Sequence, residues 1–183
     1  DGSVLAEGSG EGRVKLREKG VIKYSAEVCN PLLWDCDNPN RYTVKTVLKT
    51  NGEEIDENTT RIGFRAVEIT VENGLLLNGK PTFINGVCAH QDFGLTGLAV
   101  PENIAKYGTS QYQQTKSDMD AFDEQGFLVM DEARWFESTK EAMEQLESLI
   151  KRDRNRPSVI MWSTSNEEPL HITDTGRKLH KAI

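Results

Sequence analysis

Eleven residues near the end of the chain restrict its fold more than any others: Val159-Ile160-Met161-Trp162-Ser163-Thr164-Ser165-Asn166-Glu167-Glu168-Pro169. Four apolar residues in an unbroken run suit a strand buried on both faces, as in a parallel sheet covered by helices. Asn166, Glu167 and Glu168 follow where that strand must end, and Pro169 cannot continue a ladder. In parallel α/β barrels the carboxyl ends of the strands carry the chemistry, so a carboxylate planted there points to catalysis. The competing reading is a polar loop whose Glu residues favour the next helix N-terminus.

Length limits what can surround that strand. The chain has 183 residues, whereas a complete (β/α)₈ barrel takes roughly 250. One good core or two small ones can be built, but no whole barrel. A net charge of −7 without a basic stripe argues against a nucleic-acid partner. No apolar run reaches the length of about 18 residues that a membrane span needs. Cys29, Cys36 and Cys88 form an odd set without metal-ligand spacing. That favours free thiols in a reducing, cytoplasmic compartment, with neither a metal nor a cofactor expected.

In chain order, residues 1 to about 20 are rich in Gly and charge and read as a hairpin remnant or a frayed end. Val21–Val28 and Tyr42–Lys49 are strand-like, the second with clean alternation. Asn51-Gly52 marks a hairpin turn, and Arg61–Arg65 opens another strand. Several short strands separated by turns imply a β-sandwich up to about residue 72. Asn78-Gly79 makes a second tight turn. Beyond it, strands are expected near 83–89, 127–131 and 159–163, with helices over 117–125 and 140–153. Met119 and Phe122 share one face of the first helix, which Gly126 caps. Met143, Leu146, Leu149 and Ile150 form the apolar stripe of the second. Residues 173–183 begin a further helix.

The residues flanking the eleven are specific. Arg152-Asp153-Arg154-Asn155-Arg156-Pro157-Ser158, then the strand, then Asn166-Glu167, resembles the acid/base segment of glycoside hydrolase family 2. Ser165 stands where that family usually has Gly. Leu33–Tyr42 is similar to the Trp-x-x-x-x-Pro-x-x-Tyr signature of the family's immunoglobulin-like domain, and Phe83–His90 to its first barrel strand. The resemblance implies two segments. Residues 1–72 would be part of an immunoglobulin-like β-sandwich, and residues 73–183 the N-terminal part of an incomplete (β/α)₈ TIM barrel. After Pro101–Ile104 the chain departs from the pattern. Relative to that pattern most of the first helix and the second strand would be deleted, and Gln111 replaces the family's His. Gln still donates a hydrogen bond but cannot take a proton.

The resemblance also assigns roles. Glu167 would be the acid/base of a retaining glycosidase and Asn166 would hydrogen-bond the sugar 2-hydroxyl. His90 would contact sugar, or else be a histidine satisfied at a domain seam. Asp131, which begins an Asp131-Glu132 pair at a strand's carboxyl end, would support the pocket and its substrate. Trp135 would stack on a sugar face or cap the barrel core. Glu168 points away from Glu167 on an extended segment and is poorly placed as nucleophile. In the family that nucleophile is a Glu on a later strand, so this chain would hold half of the catalytic pair. The expected partner is a β-galactoside or a related glycoside, with an oligomer possible. The alternative is an inactive sugar-binding remnant, or a decayed structural fragment.

Overall fold

Two Asn-Gly pairs set the turns of the first half. In the computed structural model, which describes residues 2–86, 114–133, 139–164 and 172–182, Asn51 and Gly52 hold φ of 51° and 86°. Two consecutive left-handed residues make the turn that matches the twist of a hairpin. They join β1 (Tyr42–Thr50) to β2 (Glu53–Ile62). The strands pair antiparallel from Tyr42 opposite Ile62, with an irregularity between Leu48 and Lys49. Asn78 and Gly79 repeat the device at φ of 54° and 75°. They connect β4 (Gly74–Leu77) to β5 (Lys80–Pro81), and β3 (Val67–Thr70) pairs with the other edge of β4. Leu75 and Leu77 alternate inward from β4 and are buried.

Two expectations need correction here. Arg61 and Ile62 end β2 rather than opening a strand, and Phe64 makes only an isolated bridge to Leu33. Among the described residues of this half, the strands form a two-stranded and a three-stranded sheet. Val21–Val28 is not a strand. The chain does fold back there: Glu18 N–H donates to the Lys15 carbonyl at 3.0 Å, and Tyr24 lies against Gly8 and Val14 against Gly20. Gly8, Gly10, Gly12 and Gly20 offer no side chains to pack, and a two-stranded ribbon of this kind is marginal. This region, Asp1–Leu32, is a compact unit of its own, and Leu33–Ile183 is the other.

Within Leu33–Ile183 the pattern changes to alternating helix and strand: α1 (Lys116–Gln125), β6 (Val129–Glu132), α2 (Lys140–Asp153), β7 (Val159–Ser163) and α3 (Asp174–Ala182). Thr115 caps α1 by accepting from Asp118 N–H at 3.3 Å, while the Asp118 carboxylate accepts from Thr115 N–H at 3.2 Å. This reciprocal box satisfies two otherwise orphaned donors. Gly126 ends α1 at φ 75°. A Cβ there would also fall 2.3 Å from the Cys36 carbonyl oxygen, so both backbone conformation and close approach require glycine. Phe127 is used in this exit. Its N–H donates to the Phe122 carbonyl at 3.1 Å and its ring meets Phe122 edge-on at 5.9 Å, which is why β6 starts two residues later than its sequence pattern predicts.

β6 and β7 pair in parallel, Glu132 opposite Ser163. Met119 and Phe122 of α1 pack on Val159 of β7, with Val129 and Trp162 against them. On α2, Leu146 and Leu149 are the buried members of the expected stripe. Of the strand expected near 83–89, residues 83–86 are not in a strand and Phe83 is exposed; 87–89 lie outside the described residues. The expected shortening after Ile104, and Gln111 with it, lies outside them too.

Candidate active site

The start of β7 is held by a buried polar cluster. Asp123, on the same stripe of α1 as Met119, is 1% exposed. Its Oδ1 accepts from the Ser158 amide at 3.1 Å and from the Ser158 hydroxyl at 2.6 Å. Its Oδ2 accepts from Arg156 Nη1 at 2.9 Å, and Arg156 also pairs with Asp120. Burial works against the Arg156 charge, but the hydrogen bonds it donates to Asp120 and Asp123 outweigh it and hold the guanidinium above its usual range. A charge so placed is tolerable only because it is paired and hydrogen-bonded.

Segment 33–65 closes over the same point. Arg65 Nε donates to the Pro157 carbonyl at 2.5 Å, and its Nη2 donates to the Val159 carbonyl. The Trp34 indole, wholly buried, donates to the Asp123 carbonyl at 2.8 Å. Gly63 allows this approach, since a Cβ would come within 2.7 Å of Pro157 and 3.0 Å of Trp34. Arg41 adds an ion pair to Glu124 at 2.9 Å. The residues before β7 are therefore fixed from two sides, by α1 and by the segment that precedes β3.

At the other end, β6 and β7 finish side by side, and Ala133 N–H donates to the Ser163 carbonyl at 2.9 Å. Asp131 sits here, opposite Trp162, with its carboxyl against Asp153 in the last turn of α2. Burial pushes Asp131 up to about 7, the neighbouring Asp153 charge and hydrogen bond push the same way, and Arg152 pulls back. Arg152 Nε donates to Asp153 Oδ2 at 2.7 Å. Asp131 thus faces a helix-borne carboxyl and is 1% exposed. That placement puts a buried carboxyl at the strand end. Of the other residues singled out in the sequence, His90, Trp135, Asn166 and Glu167 lie outside the described residues. Glu167 follows the last residue of β7 by four positions.

Sequence reasoning missed Asp123 and Arg65. The signal for Asp123 was available: four residues after Met119 and next to Phe122, it lies on the apolar face of its helix, where an ionised side chain needs a buried partner. Nothing local marks Arg65, whose partners are 92 and 94 positions away.

Comparison with known proteins accounts for this arrangement. The pattern of glycosyl hydrolases family 2 matches residues 1–65, and that of the family 2 TIM barrel domain matches residues 136–183. The chain belongs to glycosyl hydrolase family 2. The β-galactosidase BoGH2A of Bacteroides ovatus is 34% identical over 194 residues, covering 91% of this chain and 23% of that protein. A putative β-glucuronidase of Formosa agariphila is 33% identical over 173 residues, covering 84% and 21%. The crystal structure of a family 2 member from Bacteroides cellulosilyticus superposes with a TM-score of 0.74 at 34% identity, over 84% of this chain and 24% of that one. The chain therefore spans about a quarter of the length of these family 2 relatives. Helix α2 and strand β7 lie within the residues that match the family's TIM barrel domain.

Proposed function

We propose that these residues carry the acid/base half of the site of a retaining β-galactosidase. The observation that supports this most is the parallel register of β6 and β7, which ends both strands on one side with Glu132 opposite Ser163. In the sequence Asn166 and Glu167 follow the last residue of β7 by three and four positions. Glu167 protonates the leaving oxygen and then deprotonates water, while Asn166 holds the 2-hydroxyl as charge develops at the neighbouring carbon. His90 and Trp135 contact the sugar, and Asp131 supports the strand end beneath it. The preference for galactose rests on the likeness of residues 87–94 and 131–137 to β-galactosidases. Residues 1–72 belong to an immunoglobulin-like segment and 73–183 to the barrel. The free, exposed Cys29 and Cys36 suit a reducing, cytoplasmic setting.

Retention needs a second carboxyl about 5–5.5 Å from the first, and within these 183 residues no carboxylate is proposed for that role. The chain on its own should therefore not turn over a nitrophenyl β-galactoside above background. Activated leaving groups need little acid assistance, so lacking the nucleophile matters more than possessing Glu167. Weak galactose binding, in the millimolar range or worse, should remain, because one wall of a pocket buries little of a sugar. Turnover that disappears in Glu167→Gln would place a nucleophile inside this chain, with Asp92, Glu132 and Glu168 the candidates.

A further inference from the structure

Four Asn-Gly pairs stand in the first half of the chain, at 51–52, 73–74, 78–79 and 85–86. Such a pair is chemically unstable. The backbone nitrogen of the Gly, once deprotonated, can attack the Asn side-chain carbonyl carbon, and no Cβ hinders its approach. A C–N bond forms and ammonia leaves, giving a cyclic imide. Water then opens either imide C–N bond, leaving aspartate or isoaspartate. The rate at each pair depends on how firmly the side-chain amide is held.

Asn51 and Asn78 stand in turns of nearly the same backbone, with φ of 51° and 86° at the first pair and 54° and 75° at the second. Their side chains differ. Asn78 Oδ1 accepts from the Ala66 N–H at 2.9 Å, and its Nδ2 donates to the Trp34 carbonyl at 3.0 Å. The partners fix which atom is which, since an N–H must meet the oxygen and a carbonyl the amide nitrogen. One side chain thus ties the β4–β5 turn to the residue before β3 and to Trp34, whose indole is anchored on α1. Asn51 is exposed, and its amide has no partner among the described residues. Asn73 is exposed too. Its backbone N–H donates to Thr70 Oγ1 at 3.0 Å, but its side-chain amide is likewise unheld among the described residues. Asn85 borders residues outside the described ones.

We propose that Asn51 and Asn73 are sites of spontaneous conversion to aspartate and isoaspartate, and that the two amide bonds of Asn78 both lock the fold there and protect Asn78 from the same reaction. Attack requires the Asn78 side chain to turn its Cγ toward the Gly79 nitrogen, and both bonds must break first. The product would also be costly at that place. A carboxylate sets an oxygen against the Trp34 carbonyl, where an N–H donor had stood. At Asn51 the product only adds a charge beside Glu53 and Glu54 on an exposed turn. Chemical ageing therefore falls on turns whose amides hold nothing.

The test incubates the intact chain at mildly alkaline pH and follows each Asn by peptide mass spectrometry, which sees amide become acid and separates the isoaspartate isomer. Asn51 and Asn73 should convert faster than Asn78 by about tenfold or more, the factor that two net hydrogen bonds supply. In urea, with those bonds gone, the rates at Asn51 and Asn78 should converge. A difference that is absent or reversed in the folded chain, or that persists unchanged in urea, would overturn the proposal. Asn78→Asp imitates the product and tolerates the same left-handed backbone. It should lower Tm by about 5 °C or more, whereas Asn51→Asp should leave Tm unchanged. An Asn78→Asp chain as stable as the parent would show that the amide locks nothing. If that variant does not fold, the rates in the unaltered chain still decide.

Discussion

Replacing Asp123 with alanine should destabilise the chain by about 3–5 kcal/mol, the usual consequence of removing one partner from a buried charged pair. The loss is large because three groups depend on this carboxylate. Arg156 loses its closest buried partner and keeps the half-exposed Asp120 and, at 3.6 Å, Asp153, while the Ser158 amide and hydroxyl lose their acceptor. All lie at the entry to β7, where water cannot easily replace what is lost. Asp123→Asn keeps the shape and one acceptor but not the charge, so it should cost less than the alanine variant. Urea unfolding measures both. A loss below about 1 kcal/mol for alanine would mean the cluster is solvated, in conflict with its burial.

Trp34→Ala should cost a similar amount, about 3–5 kcal/mol, through the cavity left by a wholly buried indole. Trp34→Phe separates two contributions. It keeps most of the apolar volume and removes the indole N–H bond to the Asp123 carbonyl, leaving a buried acceptor unpaired at about 1–3 kcal/mol. Because Trp34 and Asp123 share one cluster, the double variant Trp34→Phe/Asp123→Ala should lose less than the sum of the two. Strict additivity in a double-mutant cycle would show that segment 33–65 and α1 fold as independent pieces.

Local chemistry made some features of the fold legible in the sequence. Asn51-Gly52 and Asn78-Gly79 are hairpin turns, Gly126 is a left-handed cap, and the run from Val159 is a parallel strand. Each follows from a rule that acts within a few residues. What failed depends on distant partners. Val21–Val28 has strand-like composition, but its glycine-rich neighbour forms no ladder with it, and Phe83 and Ile84 have no paired strand among the described residues. Asn166-Glu167 was readable only as a motif, three and four positions after the last residue of β7, and it lies outside the described residues. The support at the entry to β7 was not legible. Arg65 and Trp34 reach β7 and α1 from about 90 positions away, and no local pattern records such a contact.

The most direct test of the central claim is a graft. Residues 152–169 of this chain, exchanged for the matching segment of the Bacteroides ovatus β-galactosidase that they resemble, would meet a barrel that supplies its own nucleophile. If Glu167 is the acid/base, the graft should hydrolyse a nitrophenyl β-galactoside, and Glu167→Gln within it should lower kcat by about 10²–10⁴-fold. Added azide should restore turnover in that variant, because an anionic nucleophile needs no general base to attack the glycosyl-enzyme. A graft whose kcat is unchanged by Glu167→Gln, or whose lost activity azide leaves untouched, would contradict the assignment of Glu167.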